Sequence, residues 1–324
     1  MIDTASNPRV GVVVTTRNRE RLLRDCLTSI LAQVVRPHSV LISDDASSDN
    51  TQQVVQDFQR SFNVRGMDLW YIRHKKCVGQ EVNRRSAMRQ CRYPVVGFLD
   101  DDDMWEPEFL RDASSALEAQ SGASLVATGL TIIDSHGKVD ADATVRSDLA
   151  SGRAALQPGL LDSWLPSHLA GPQFLLGNVL VRRSALEDVD FLPVKCDPIC
   201  DFALFCSLAC RGHRAWWLPD RLFRYRVHSS GRASDRGIDI PHARAEWCYA
   251  FAKTLTDRGA RRLLMQTSAA ARRAVILMYA QRRDIIRSTS EFATLLSQHG
   301  VAEVDWRQCA AAILMLAGLR RQLR

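Results

Sequence analysis

The stretch Phe98-Leu99-Asp100-Asp101-Asp102-Asp103-Met104-Trp105 sets four consecutive carboxylates directly after a short apolar run, Tyr93 to Leu99. Unit charges about 4 Å apart repel by about 1 kcal/mol even in bulk water and by more in a protein cleft, so the run calls for a cationic partner. A hard divalent ion answers that need, because Mg2+ and Mn2+ take oxygen ligands and keep positions open for water or phosphate. The competing reading is an acidic turn at the start of the helix that begins near Glu106, where a helix dipole favours negative charge.

Outward from this stretch, the first 134 residues alternate apolar runs of strand length with segments of helical period. Val10 to Thr15, Val40 to Ser43, Leu69 to Arg73, Val95 to Leu99 and Leu125 to Ile133 read as strands. Arg19 to Gln33, Asn50 to Ser61, Gly79 to Cys91 and Glu106 to Gln120 place apolar residues at three and four spacing and read as helices. This alternation predicts an α/β fold with a mostly parallel sheet flanked by helices, and ligands bind such sheets at the carboxyl ends of the strands. Three polar clusters fall at those ends: Thr15 to Arg19, Asp44 to Asp49, and the four aspartates. They are expected to converge on one crevice.

From Asp134 to Pro172 the pattern weakens into a Gly, Ser, Asp and Pro-rich connection, read as loop with one short helix around Gly159 to Trp164. Phe174 to Arg182 reads as a strand, Ile199 to Cys210 as a buried helix, and Trp216 to Tyr225 as another apolar element. From about His242 the chain reads as helical, with breaks at Gly259 and Gly300. Arg261, Arg272 and Arg283 recur every 11 residues and so share one helix face, opposite Leu264, Val275, Leu277, Met278 and Ile286. The apolar segment Ala310 to Leu319 is flanked by arginines and is too short to span a membrane, which favours packing in a core.

The net charge of +7 is unevenly spread: residues 241–324 hold 14 Lys and Arg against 6 Asp and Glu, the remainder 29 against 30. The basic tail suits either an anionic membrane surface or a solvated helix face. With 324 residues, 46% of them hydrophobic, there is material for a substantial core. No leader and no span-length apolar stretch is read, which predicts a cytoplasmic protein, peripheral at most to the inner face of the plasma membrane. Nine cysteines, scattered through apolar segments, fit reduced thiols. Cys196, Cys200, Cys206 and Cys210 would share one broad helix face, but Pro198 interrupts it and no Cys-x-x-Cys pair occurs, so they read as core residues rather than a zinc site.

Val10-Gly11-Val12-Val13-Val14-Thr15-Thr16-Arg17-Asn18-Arg19, Val40 to Thr51 with Asp44-Asp45-Ala46-Ser47, and Phe98 to Trp105 with Pro107 together resemble the family 2 glycosyltransferases of the GT-A fold. The resemblance covers roughly residues 8 to 230 and is densest in the first 110. It implies a GT-A, Rossmann-like transferase domain over 1–240, with a nucleotide-sugar half to about 134 and an acceptor half over about 135–240. Residues 241–324 then form an all-helical C-terminal extension.

The same resemblance implies an inverting, metal-dependent transfer of a sugar from a UDP- or dTDP-type nucleotide diphosphate donor to a hydroxyl of a saccharide or lipid-linked acceptor, in bacterial cell-surface polysaccharide assembly. It maps the Asp-x-Asp motif onto Asp100 and Asp102, with Asp101 and Asp103 beside them, and implies Mn2+ or Mg2+ held by Asp102 and Asp100. His228, in Tyr225-Arg226-Val227-His228, would complete that site. Asp45 would accept a hydrogen bond from the nucleotide base, with Thr15 and Arg19 beneath it; the residue-level alternative is that Asp44 and Asp45 form an Asx turn. Arg84, 16 residues before Asp100, would meet the diphosphate, although the usual Arg-Asn pair reads Arg84-Arg85. Aligned on Gly212, Asp201 falls on the base that deprotonates the acceptor, with Asp197 as rival and Cys200 and Ala203 in place of acidic neighbours. Those departures motivate the alternative of a non-catalytic sugar-nucleotide or partner-binding module. A metal-dependent phosphohydrolase is disfavoured for want of a second ligand set, and no nucleic-acid partner is expected.

Overall fold

The computed structural model describes residues 9–228, 237–282 and 284–300, which fall into two compact units. One comprises residues 9–194 and 200–228; the other takes in 195–199 and the described residues from 237 onward.

In the first unit β1 (Val10–Thr16) and β2 (Ser39–Asp44) are buried along nearly their whole length. Their apolar runs are those of strands covered on both faces. With β3 (Asp68–Arg73) and β4 (Val95–Asp100) they make a parallel array in the order β3-β2-β1-β4. The crossovers are α1 (Glu20–Leu31), α2 (Thr51–Val64) and α3 (Gln80–Gln90). Leu23, Cys26, Leu27 and Ile30 line the buried side of α1 at three and four spacing, as a helix lying on a sheet requires. Register places Thr15 beside both Ser43 and Asp100, and Thr16 beside Asp44, so β1, β2 and β4 stop abreast.

Past β4 the sheet is mixed. The aspartate turn leads into the two-residue β5 (Met104–Trp105), α4 (Phe109–Ala119) and β6 (Leu125–Ile133). β8 (Val179–Arg182) inserts antiparallel between β4 and β6, and β9 (Ala215–Arg226) runs parallel to β6 and antiparallel to β5. β8 runs into α7 (Arg183–Asp188), and α8 (Cys200–Cys210) precedes β9. Trp105 ties this half together: its ring stacks on Phe109 at 4.4 Å and its indole N–H donates to the Gly177 carbonyl at 2.6 Å.

The connection after Asp134 holds more structure than its sequence suggests. It forms α5 (Ala141–Ser151), then β7 (Gly159–Leu161) where a helix was expected, then α6 (Leu165–Ala170). Of α5 only Thr144 and Ser151 are buried, so no apolar period announces it; Asp140 starts it by accepting the Ala143 N–H at 2.8 Å. β7 owes its conformation to antiparallel pairing with β9, a tertiary effect with no local signal. The strand expected over Phe174 to Arg182 is shortened to β8 because Leu176–Asn178 is a tight 3-10 turn. The Asn178 amide holds that turn, donating to the Thr128 carbonyl at 2.6 Å and accepting the Leu175 N–H at 2.8 Å.

The second unit contains α9 (Asp239–Ala252), α10 (Arg258–Gln281) and α11 (Ile285–His299). Gly259 lies inside the first turn of α10 rather than breaking the helix; the break precedes it, and Asp257 caps α10 by accepting the Ala260 N–H at 2.6 Å. The expected arginine face is also corrected. Arg261 is exposed, but Arg272 is buried and ion-paired with Glu246 and Glu291, while Ile286, assigned to the apolar side, is 83% exposed. Arg272 turns inward because α9 and α11 each bring it a carboxylate. Arg283 and Ala310 to Leu319 lie outside the described residues, among which no helix is long and apolar enough to cross a membrane.

Replacing Asn178 by Ala takes this partner from the buried Thr128 carbonyl and the partly buried Leu175 N–H, a cost of about 2 kcal/mol. Thermal unfolding is expected to show a melting temperature lower by about 4–8 °C. An unchanged melting temperature would remove the anchoring role given to this side chain.

Candidate active site

Asp100 closes β4, and the next three aspartates turn back on themselves, the Asp103 N–H donating to the Asp100 carbonyl at 3.1 Å. The tightness of that turn faces the carboxylates toward one another. Asp100, Asp102 and Asp103 each offer an oxygen within 4.8 Å of the others. Asp101 and Asp103 are both buried.

Three arginines and a histidine surround the turn. The Arg19 guanidinium reaches Asp101 at 2.9 Å and Asp102 at 2.6 Å, and His228 Nε2 lies 3.0 Å from the same Asp102 carboxylate oxygen. Arg84, buried on α3, spans Asp100 at 2.5 Å and Asp201, in the first turn of α8, at 3.3 Å. Asp201 also accepts the Leu176 N–H at 2.9 Å. From β9, the Arg226 backbone N–H donates to Asp103 at 2.8 Å.

The cations do not fully offset the crowding. Burial pushes the Asp101 carboxyl up to about 7, against the pull of Arg19 and with a further push from Asp102. Asp103 is raised by burial and by Asp102 and Asp100, its Arg226 N–H opposing. Asp201 is raised by burial, with Arg84 opposing. Burial disfavours the charge on Arg84, but Asp100 and Asp201 outweigh it and keep the guanidinium protonated. An oxygen-rich donor set with an imidazole beside it, short of positive charge, fits a hard divalent ion.

The structure brings Arg84, Asp100 and Asp201 into one ion-paired group, and Arg19, Asp101, Asp102 and His228 into a second on the same turn. Thr15 borders a small recess with Arg84, Asp100 and Leu176. Asp45 makes its bonds elsewhere: it is buried and accepts the Val78 and Gly79 N–H groups at 2.6 and 3.0 Å, just before α3. Asp44 takes the Asx-turn role, accepting the Ser47 N–H at 2.9 Å and the Tyr71 hydroxyl at 2.5 Å. Asp197 belongs to the segment 195–199 of the second unit, whereas Asp201 lies in the first. From sequence Asp103 stands beside the Asp-x-Asp motif without a role of its own, and Arg226 has none. The spacing Tyr225-Arg226-Val227-His228, which places 226 and 228 on one side of an extended chain, held the only signal for Arg226.

Residues 11–151 match the family model described as Glycosyl transferase family 2. The GalNAc(5)-diNAcBac-PP-undecaprenol beta-1,3-glucosyltransferase of Campylobacter jejuni is 32% identical over 134 residues, 41% of this chain and 41% of that protein. The alignment thus spans about two fifths of that relative's length. The putative teichuronic acid biosynthesis glycosyltransferase TuaG of Bacillus subtilis is 25% identical over 263 residues, 75% of this chain and 93% of that one. Among solved structures, TarS 1-349 of S. aureus in complex with UDP has a TM-score of 0.65 at 16% identity, over 98% of this chain and 92% of its own. The mannosyltransferase PcManGT of Pyrobaculum calidifontis, in complex with GDP-Man and Mn2+, has a TM-score of 0.60 at 19% identity, over 97% and 87%. At these identities the likeness establishes a shared fold.

A carboxyl raised in the folded state contributes stability that is full below its unfolded pKa and is lost as pH rises from there through its folded pKa. The metal-free protein is therefore expected to melt at a lower temperature at pH 8 than at pH 5.5, with Asp101 titrating near about 7. Saturating Mn2+ should flatten the difference, and the substitution Asp101→Asn should reduce it, leaving the share of Asp103 and Asp201. A fall equally steep in Asp101→Asn would assign the dependence to other groups.

Proposed function

Because the chain belongs to the family 2 glycosyltransferases and has the GT-A fold, we propose that it is an inverting, divalent-metal-dependent transferase acting from a UDP- or dTDP-type nucleotide sugar. One observation carries the reading: Arg84 spans Asp100, at the edge of the carboxylate cluster, and Asp201, a partly buried carboxylate from the other half of the unit. A donor diphosphate at the cluster would have its sugar close to Asp201.

Asp102, Asp100 and Asp103, with His228 beside Asp102, would hold Mn2+ or Mg2+. The ion would neutralise the diphosphate and the charge that develops on it as the glycosidic bond breaks. The remaining roles fall to side chains. Arg84 presents a planar fork suited to phosphate oxygens. Arg19 anchors Asp101 and Asp102 from below. Thr15 and Asp45, at the ends of β1 and β2, are assigned to the nucleoside. Asp201 accepts the proton of the acceptor hydroxyl as that oxygen attacks the anomeric carbon opposite the departing nucleoside diphosphate, which inverts the anomeric centre. Its raised pKa, due first to burial, suits a base.

For the acceptor we propose a saccharide, free or lipid-linked, within bacterial cell-surface polysaccharide assembly. The undecaprenol-linked substrate in the Campylobacter relative's name and the teichuronic acid in that of TuaG support this. The transferase is assigned to residues 1–240, with donor contacts before about 134 and acceptor contacts after. Residues 241–324 are assigned to peripheral docking on the inner face of the membrane, through such exposed residues as Arg258, Arg261 and Arg262 on α10.

With a nucleotide sugar, Mn2+ and an acceptor mixture, Asp201→Asn is expected to lower kcat by about 100- to 10,000-fold while leaving UDP affinity nearly unchanged. The acid limb of the wild-type kcat/KM profile should lie above the ordinary aspartate range, because Asp201 must be ionised to act. Full activity in Asp201→Asn would return the role to Asp197 or leave a binding module.

Calorimetry separately tests the metal. UDP should bind weakly without Mn2+, tightly with it, and weakly in both conditions to Asp102→Asn. Equal affinity with and without Mn2+ would eliminate the metal from the mechanism.

A further inference from the structure

The geometry points to Arg226 as a positioning residue that sets the aspartate turn for its ion before the ion arrives. Arg226 closes β9 and its side chain is 1% exposed. It grips the turn at two successive residues. Its backbone N–H donates to the Asp103 carboxylate at 2.8 Å, and its Nε donates to the Asp102 carbonyl at 2.7 Å.

The rest of the guanidinium is spent on the surroundings. One terminal nitrogen is shared between the carbonyls of Asp134 and Ser135, at 3.4 and 3.3 Å, and the other reaches the Asp25 carboxylate on α1 at 3.2 Å. Three of its four partner atoms are thus backbone carbonyl oxygens. Its one carboxylate partner, Asp25, is half exposed and lies outside the cluster. Simple charge neutralisation would aim the cation at Asp101, Asp102 or Asp103 side chains, as Arg19 does. Arg226 instead fixes the backbone between two carboxylates, using the fork geometry that a lysine ammonium lacks.

The consequence is preorganisation. Carboxylates that repel one another would swing apart on a free turn, and the ion would have to gather them again. With the Asp102 carbonyl and the Asp103 side chain tied to the end of β9, convergence of the cluster is built in. His228, two residues on, meets Asp102 from the same strand end. Groups that orient metal-holding side chains commonly contribute about 10- to 100-fold to metal affinity.

The inference rests on reading the cluster as a metal site, and the test separates the two. Mn2+ binding in the presence of UDP would be titrated by electron paramagnetic resonance for wild type, Arg226→Lys and Asp25→Asn, with melting temperatures alongside. Arg226→Lys should weaken Mn2+ by about 10- to 100-fold, raise the donor KM at limiting Mn2+, and recover kcat at saturating Mn2+. Asp25→Asn, which frees only the outer end of the guanidinium, should cause a smaller loss with little change in melting temperature; it decides the matter if Arg226→Lys fails to fold. Unchanged Mn2+ affinity in folded Arg226→Lys, or in Asp25→Asn where Arg226→Lys does not fold, overturns the positioning role alone. Absence of Mn2+ binding by the wild type overturns the metal reading and this role with it.

Discussion

Four adjacent carboxylates in a buried turn repel one another, and much of the first unit is arranged to contain that repulsion. Arg19 comes from the start of α1, Arg84 from α3, Arg226 and His228 from the end of β9. These groups arrive on three different elements, so the turn is a point where the sheet and two crossover helices are held in register by polar contacts as well as by packing. The containment is incomplete: burial first, and the neighbouring carboxylates after it, hold the Asp101 and Asp103 carboxyls above the usual range. A fold that leaves negative charge partly unmet at the ends of its strands has in effect stored an affinity for a cation.

Arg84 gives that arrangement its direction. Its guanidinium is shared between a carboxylate that would face the ion and one that would face the acceptor, and each holds it against the cost of burial. A diphosphate entering beside Asp100 would compete for the same fork. On the proposed reading, donor binding and the electrostatic surroundings of Asp201 would be linked through one side chain.

How far the site was legible depended on where each residue's partners lie along the chain. β1 to β4 and β6 follow from apolar runs whose burial is set by the sheet itself, and Asp100, Asp102 and Arg84 come from the resemblance carried by the motifs of that half. Asp45 was legible as a polar strand end, but its engagement by the Val78 and Gly79 N–H groups depends on how the loop before α3 folds over it. Arg226 was quoted without a role because backbone carbonyls, its main partners, carry no sequence signal. Arg272 misled for the opposite reason: its period on one helix was correct, but two glutamates on neighbouring helices turned it inward.

The positions of the three arginines and the histidine along the chain also order the site in time. During synthesis Arg19 and Arg84 precede the aspartates, while Arg226 and His228 follow them by more than 120 residues. As domains fold progressively from the N-terminus while the chain emerges, the nascent parallel half meets its own acidic turn with only the first two cations in hand. Completion of the pocket waits for β9 to leave the ribosome.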